Sequence, residues 1–174
     1  MLPPDVVDRV TGYIQHQAKK SRGTIIDLVR TSQQRYIDII STLDDAAAAK
    51  KPAADEWSVR ELLRHVILAE QDVTALVTGL SRGETPPPAI TGRRGMGTQI
   101  DDDARPLSAL VEQLRDINEG MIRAIEELPD SPDLTTKAPH PFFGPLNGLE
   151  WAVFQRVHDE DHVQHAQKIL AATA

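Results

Sequence analysis

Val157-His158-Asp159-Glu160-Asp161-His162-Val163-Gln164-His165 carries three of the chain's six histidines. Spacings of four and then three put His158, His162 and His165 on one face of an α-helix. At about 100° per residue, Trp151, Phe154 and Ile169 fall within about 40° of His158. The histidines therefore continue a line of large apolar side chains, while Asp159 and Glu160 point well away from it. A helix patterned this way packs its stripe inward, against other helices. The expected span runs from a cap at Asn147-Gly148-Leu149-Glu150, with glutamate at the third helical position, to about Ala171.

The rest of the chain reads as the helices that receive this stripe. A first block, Asp5 to Thr42, carries Ile25, Leu28, Val29, Tyr36, Ile39, Ile40 and Leu43 at helical period. Ser21-Arg22-Gly23-Thr24 inside it reads as a helix end followed by a new N-cap. The second block opens at Ser58, where Ser58-Val59-Arg60-Glu61 is a capping box with Trp57 just before it, and runs to about Leu80. The third, Ala104 to Leu128, starts at Arg105-Pro106, and Pro129, Pro132 and Pro139 forbid its continuation. Four long amphipathic blocks without a strand signal predict an all-α fold, a four-helix bundle formed as one domain over residues 1–174. Residues 1–22 are an N-terminal extension to it.

Composition agrees. At 174 residues the chain is the length of one domain, and 4% aromatic content beside 40% hydrophobic suits helices packed on helices. Nineteen basic against twenty-six acidic residues give a net charge of −7, which disfavours nucleic acid or an anionic membrane as partner. No apolar run is long enough to span a bilayer, and the first residues carry no secretory pattern. With no cysteine, disulfides, thiolate ligands and a cysteine nucleophile are excluded, and a cytoplasmic location is expected.

Residues 81–103 form a long loop containing Pro86-Pro87-Pro88 and Gly92-Arg93-Arg94-Gly95-Met96-Gly97. Arg93 and Arg94 could close over an anionic substrate, or the loop could simply be solvated. Its glycines follow no strand and make no nucleotide fingerprint.

Three imidazoles on an inward face need partners, because unpaired polar groups are costly to bury. A divalent metal fits best. An i, i+4 pair such as His158 and His162 sets two rings about 6 Å apart, able to converge on one ion. Zinc, nickel, iron and copper all take such donors. The competing readings are a solvated histidine patch and a hydrogen-bonded, pH-sensitive cluster. A third ligand should come from another helix, and His65, at the edge of the second block's apolar stripe, is the candidate. Asp161, Glu61 and Asp72 are carboxylates near the histidines, placed to orient imidazoles or to act as a base. Trp151, Phe154, Phe142 and Phe143 read as core or as an apolar pocket wall.

Trp57-Ser58-Val59-Arg60-Glu61-Leu62-Leu63-Arg64-His65 resembles the start of the second helix in the DinB/YfiT-like superfamily, the DNA-damage-inducible metal-binding bundles that are distinct from the polymerase of similar name. His158-Asp159-Glu160-Asp161-His162, after a Pro/Phe/Gly loop, is similar to that family's closing motif. The resemblance spans about Thr24 to Leu170. It implies an up-down-down-up bundle, one divalent ion on His65, His158 and His162, and pairing as a homodimer. Zinc or nickel is expected, with iron or manganese as alternatives. At His165 many members resemble a glutamine; here it is a fourth ligand, a donor behind the ligands, or a proton carrier. Two chemistries on small-molecule substrates are implied: transferases or isomerases that use a low-molecular-weight thiol, which this cysteine-free chain would take from outside, and metal-dependent hydrolases. The alternative is a non-catalytic metal-binding or stress-response bundle.

Overall fold

The computed structural model describes residues 3–85 and 103–174; Arg93, Arg94 and most of the long loop lie outside them. In chain order the described elements are α1 (Pro4–Gln17), α2 (Arg22–Ile40), the short α3 (Asp45–Ala49), α4 (Val59–Leu80), α5 (Leu107–Glu126), strands β1 (Ala138–His140) and β2 (Gly144–Leu146), and α6 (Gly148–Thr173).

The helix starts follow the local sequence. Ser21 caps α2 by accepting from the Thr24 amide at 3.2 Å, so the first block is two helices, and Gly23 lies inside the new first turn, not at the break. At α4 the capping box is complete: Ser58 Oγ accepts from the Glu61 amide, and Glu61 Oε2 accepts from the Ser58 amide at 2.8 Å. Asn147 and Glu150 repeat the arrangement at α6. Each cap satisfies amide donors that a helix start leaves orphaned and is worth about 1 kcal/mol.

Cross-helix contacts fix the topology. Thr74 reaches Met121, and Glu70 faces Asn118 four residues earlier on α4 and three earlier on α5, so α4 and α5 run parallel. Ser32 meets Asp159 and Arg35 pairs with Glu160, so α2 and α6 are also parallel. Arg22 donates to the Glu126 and Pro129 carbonyls while Arg115 reaches Ser41, which makes α2 and α5 antiparallel. His65 meets His158, while Gly148 stands against Val77 and Ser81, which makes α4 and α6 antiparallel. The order is up-down-down-up. At Gly148 a Cβ would lie 2.8 Å from the Val77 carbonyl oxygen and closer still to Ser81 Oγ. Only glycine lets α6 start this close to the end of α4.

Two apolar clusters fill the bundle. One gathers Ile14 of α1, Val29, Val77, Met121 and Trp151; the other gathers Tyr36, Leu63, Ile67, Leu114 and Val163. Each such side chain, fully buried, contributes about 1.5–3 kcal/mol. Between them every long helix turns a polar side chain inward: Ser32 and Gln33 from α2, Glu70 from α4, Asn118 from α5, Gln155 and Asp159 from α6. This corrects the one-stripe reading of α6, in which Asp159 pointed away from the packed face. Packed between α2 and α4, α6 buries a second face, and Asp159 is only 2% exposed.

Sequence reading also found no strand. β1 and β2 form a small antiparallel ribbon, pairing Ala138 with Leu146 and His140 with Gly144. Gly144 takes φ of 73°, a left-handed conformation suited to glycine. Three-residue strands carry too little alternation to be read.

Candidate metal centre

The capping box starts α4 so that His65 comes round in its second turn, facing α6. Along α6 the four-residue spacing stacks His158 and His162 toward it. The His158 and His65 Nε2 atoms are 3.3 Å apart, and those of His162 and His158 are 3.0 Å apart. One ligand atom from each of the three rings lies within 4.8 Å of the others. His65 and His162 are buried and His158 is partly so.

Burial is the main cause of a depressed His158 pKa, about 3, with His65 and His140 adding repulsion. His162 is likewise held well below its ordinary value by burial, then by His158, His65 and His165. His158 and His162 are therefore neutral, the protonation state a metal ligand needs. Direct hydrogen bonding does not satisfy this arrangement. His158 Nε2 faces two other Nε2 atoms but has either one proton or one lone pair to offer. A cation shared by three lone pairs resolves the conflict, and the donor set suits borderline metals such as zinc or nickel.

The other expected residues lie around this trio. His165 is half-buried, its ring stacked on Trp57 at 6.2 Å and 6.2 Å from that of His162; it is outside the converging group. Asp161 is exposed and, with His165, Glu56 and Lys168, lines a cleft of about 480 Å³. Glu61 is engaged elsewhere, in the cap and in a 2.7 Å ion pair with Lys51. Burial alone would raise its pKa, but hydrogen bonds from Lys51 and Ser58 outweigh that and lower it. Asp72 is half-buried on α4. The outer Nδ1 atoms of His158 and His162 are buried without hydrogen-bond partners.

Sequence reasoning missed His140. Its Nδ1 accepts from the Phe142 and Phe143 amides, both at 3.2 Å, which leaves the ring proton on Nε2. The ring packs on Phe143 (4.7 Å), Trp151 (5.3 Å) and Phe154 (4.4 Å), and Phe154 touches His158 (5.7 Å). The four aromatics noted in the sequence thus form a wall running from the ribbon to the histidines. The only available signal was a histidine two residues before a Phe-Phe pair.

An up-down-down-up bundle with three imidazoles brought together from its second and last helices defines a class of four-helix bundle with a candidate metal centre. Comparison with known proteins agrees on the fold and gives the family. The DinB superfamily pattern matches residues 28–166, and the chain belongs to that superfamily. It is similar to the uncharacterized protein YuaE of Bacillus subtilis (strain 168), 26% identical over 141 residues that cover 73% of this chain and 85% of YuaE. Among solved structures it resembles YfiT from Bacillus subtilis, described as a probable metal-dependent hydrolase with an unusual four-helix bundle topology. That match has a TM-score of 0.63 at 13% identity and covers 87% of this chain and 86% of YfiT. It also resembles TT2238, a four-helix bundle protein, with a TM-score of 0.61 at 17% identity over 85% of this chain and 99% of that one. At these identities the structural matches speak for the fold alone. No described helix is long and apolar enough to cross a membrane.

Proposed function

We propose that the chain binds one divalent metal ion through His65, His158 and His162 and acts as a metal-dependent enzyme on small molecules. The observation that carries this is the approach of three imidazole Nε2 atoms from two helices, one ligand atom of each ring within 4.8 Å of the others. Zinc or nickel fits the all-nitrogen donor set. When bound, such an ion supplies Lewis acidity, which serves hydrolysis of an ester or amide and equally the transfer of an external thiol.

The chain's own residues do the rest. The three rings are pre-aimed, so little reorganisation accompanies binding. Trp57 lies against His65, with ring centroids 5.1 Å apart, and covers the trio on that side. His165, between Trp57 and the cleft, is placed to carry a proton between the cleft and the ligands, and Asp161 lines the same cleft. Glu61 has no part in this, since its carboxylate caps α4.

A binding-only role is favoured by one observation. No described side chain meets the outer nitrogens of His158 and His162, where catalytic sites commonly place a carboxylate. Metal quantification of protein purified without a histidine tag, with thiol-transfer and ester/amide hydrolysis assays on wild type and His65→Ala, separates the readings. An enzyme loses turnover with its metal; a binding protein loses metal and shows no turnover in either form.

A further inference from the structure

The polar layer between the two apolar clusters holds two carboxylates that no cation accompanies. Glu70 and Asp159 are 0% and 2% exposed, among the most buried groups of the chain. Neighbouring residues of α2 bind them: Gln33 Nε2 donates to Glu70 at 2.6 Å and Ser32 Oγ to Asp159 at 2.9 Å. Gln155 Nε2 donates to the other Asp159 oxygen at 2.7 Å. Asn118, with its amide nitrogen turned toward α4, donates to both Glu70 oxygens at 2.9 and 3.2 Å. Every one of these donors is neutral, and no Lys or Arg is paired with either carboxylate among the described residues.

Two further buried oxygens beside Asp159 have no hydrogen-bond partner. Gln155 Oε1 belongs to the amide whose nitrogen is tied to Asp159, so it stands beside that carboxylate, and it has no hydrogen bond. The Tyr36 hydroxyl, on a side chain 1% exposed, is also unpartnered, and it lies within the field of Asp159. Leaving two such atoms orphaned in a bundle core costs on the order of 1–3 kcal/mol each. Both can serve as acceptors, as can the carboxylates, so one positive centre among them would serve all four.

We propose that Glu70, Asp159, Gln155 Oε1 and Tyr36 Oη form a second cation site, for a hard divalent ion of the Mg²⁺ or Mn²⁺ kind. An all-oxygen donor set selects such ions over those preferred by imidazoles. Two carboxylates match a charge of +2, and Ser32, Gln33 and Asn118 hold the carboxylates in place as outer supports. The site uses one turn of each long helix, so its occupancy ties the four helices together at mid-height. It does not depend on the histidine trio binding metal.

The test is titration of the full-length chain with Mn²⁺, read by the spin-resonance signal of the free ion, with the trio either saturated by one equivalent of Zn²⁺ or disabled by His65→Ala. The expected result is one further bound Mn²⁺ per chain in both forms, displaced by Mg²⁺ and weakened at least tenfold in Glu70→Gln. Tyr36→Phe, which keeps the ring and so the packing, should weaken it less. Should Glu70→Gln not fold, the wild type decides by its melting temperature, which must rise with added Mg²⁺, since a ligand of the native state stabilises it by mass action. Absence of Mn²⁺ binding, binding lost in His65→Ala, or binding unchanged in a folded Glu70→Gln would each overturn the proposal.

Discussion

The Nε2 atoms of His65 and His158 lie 3.3 Å apart although ninety-three positions separate them in the chain. Two helix starts produce this proximity. The Ser58–Glu61 box sets where α4 begins, and Gly148 lets α6 begin against the end of α4, so the antiparallel pair is in register at the histidines. The site is therefore as good as these two local devices, and both can be perturbed without touching a histidine.

Gly148→Ala should destabilise the protein by about 1–3 kcal/mol, the range for forcing an atom into a packed interface. The Cβ meets a backbone carbonyl, which cannot rotate away. Adding Ser81→Ala removes only the hydroxyl half of the clash, so it should restore part of the loss. Urea denaturation of the two single variants and the double variant measures this; an undiminished midpoint for Gly148→Ala would show that α6 can shift.

Glu61→Ala should cost about 1 kcal/mol through the lost cap and leave metal content unchanged. Ser58→Ala should cost a similar amount, and the double variant less than the sum, because the two bonds belong to one motif. Thermal melts with metal analysis check both parts. Loss of metal in a well-folded Glu61→Gln would return Glu61 to the site.

Acid should loosen the ribbon. Burial depresses the His140 pKa to about 4, below its unfolded value of about 6.5. Between those values the open state binds more protons, so the contribution of His140 is fully present above about pH 6.5 and is lost as pH falls toward 4. The structural reason is direct: a protonated Nδ1 cannot accept from the Phe142 and Phe143 amides. Hydrogen exchange of these two amides, corrected for intrinsic rates, should show protection falling over that window in wild type and no such step in His140→Asn.

Much of this was legible in the sequence. Helical periodicity and the two capping boxes are local signals, and they placed α4 and α6 to within a residue or two. The ring spacing of His158 and His162 is equally local. His65 could be paired with them only by supposing that a metal needs a third ligand or through the family resemblance of Trp57–His65, since nothing in the sequence between them records the distance. The polar layer was illegible because a single apolar stripe implies one buried face, whereas α6 packs between two neighbours and buries Asp159 and Gln155 on the other. The ribbon escaped because its strands are three residues long and contain Pro139 and Pro145.

The most direct measurement is the metal content of untagged protein, by elemental analysis after dialysis, for wild type, His65→Ala, His158→Ala and His162→Ala. The account predicts close to one equivalent of a transition metal in wild type and at least a tenfold drop in affinity for each variant, with helical content retained. A wild type free of metal, or full metal content in a folded His162→Ala, would contradict it.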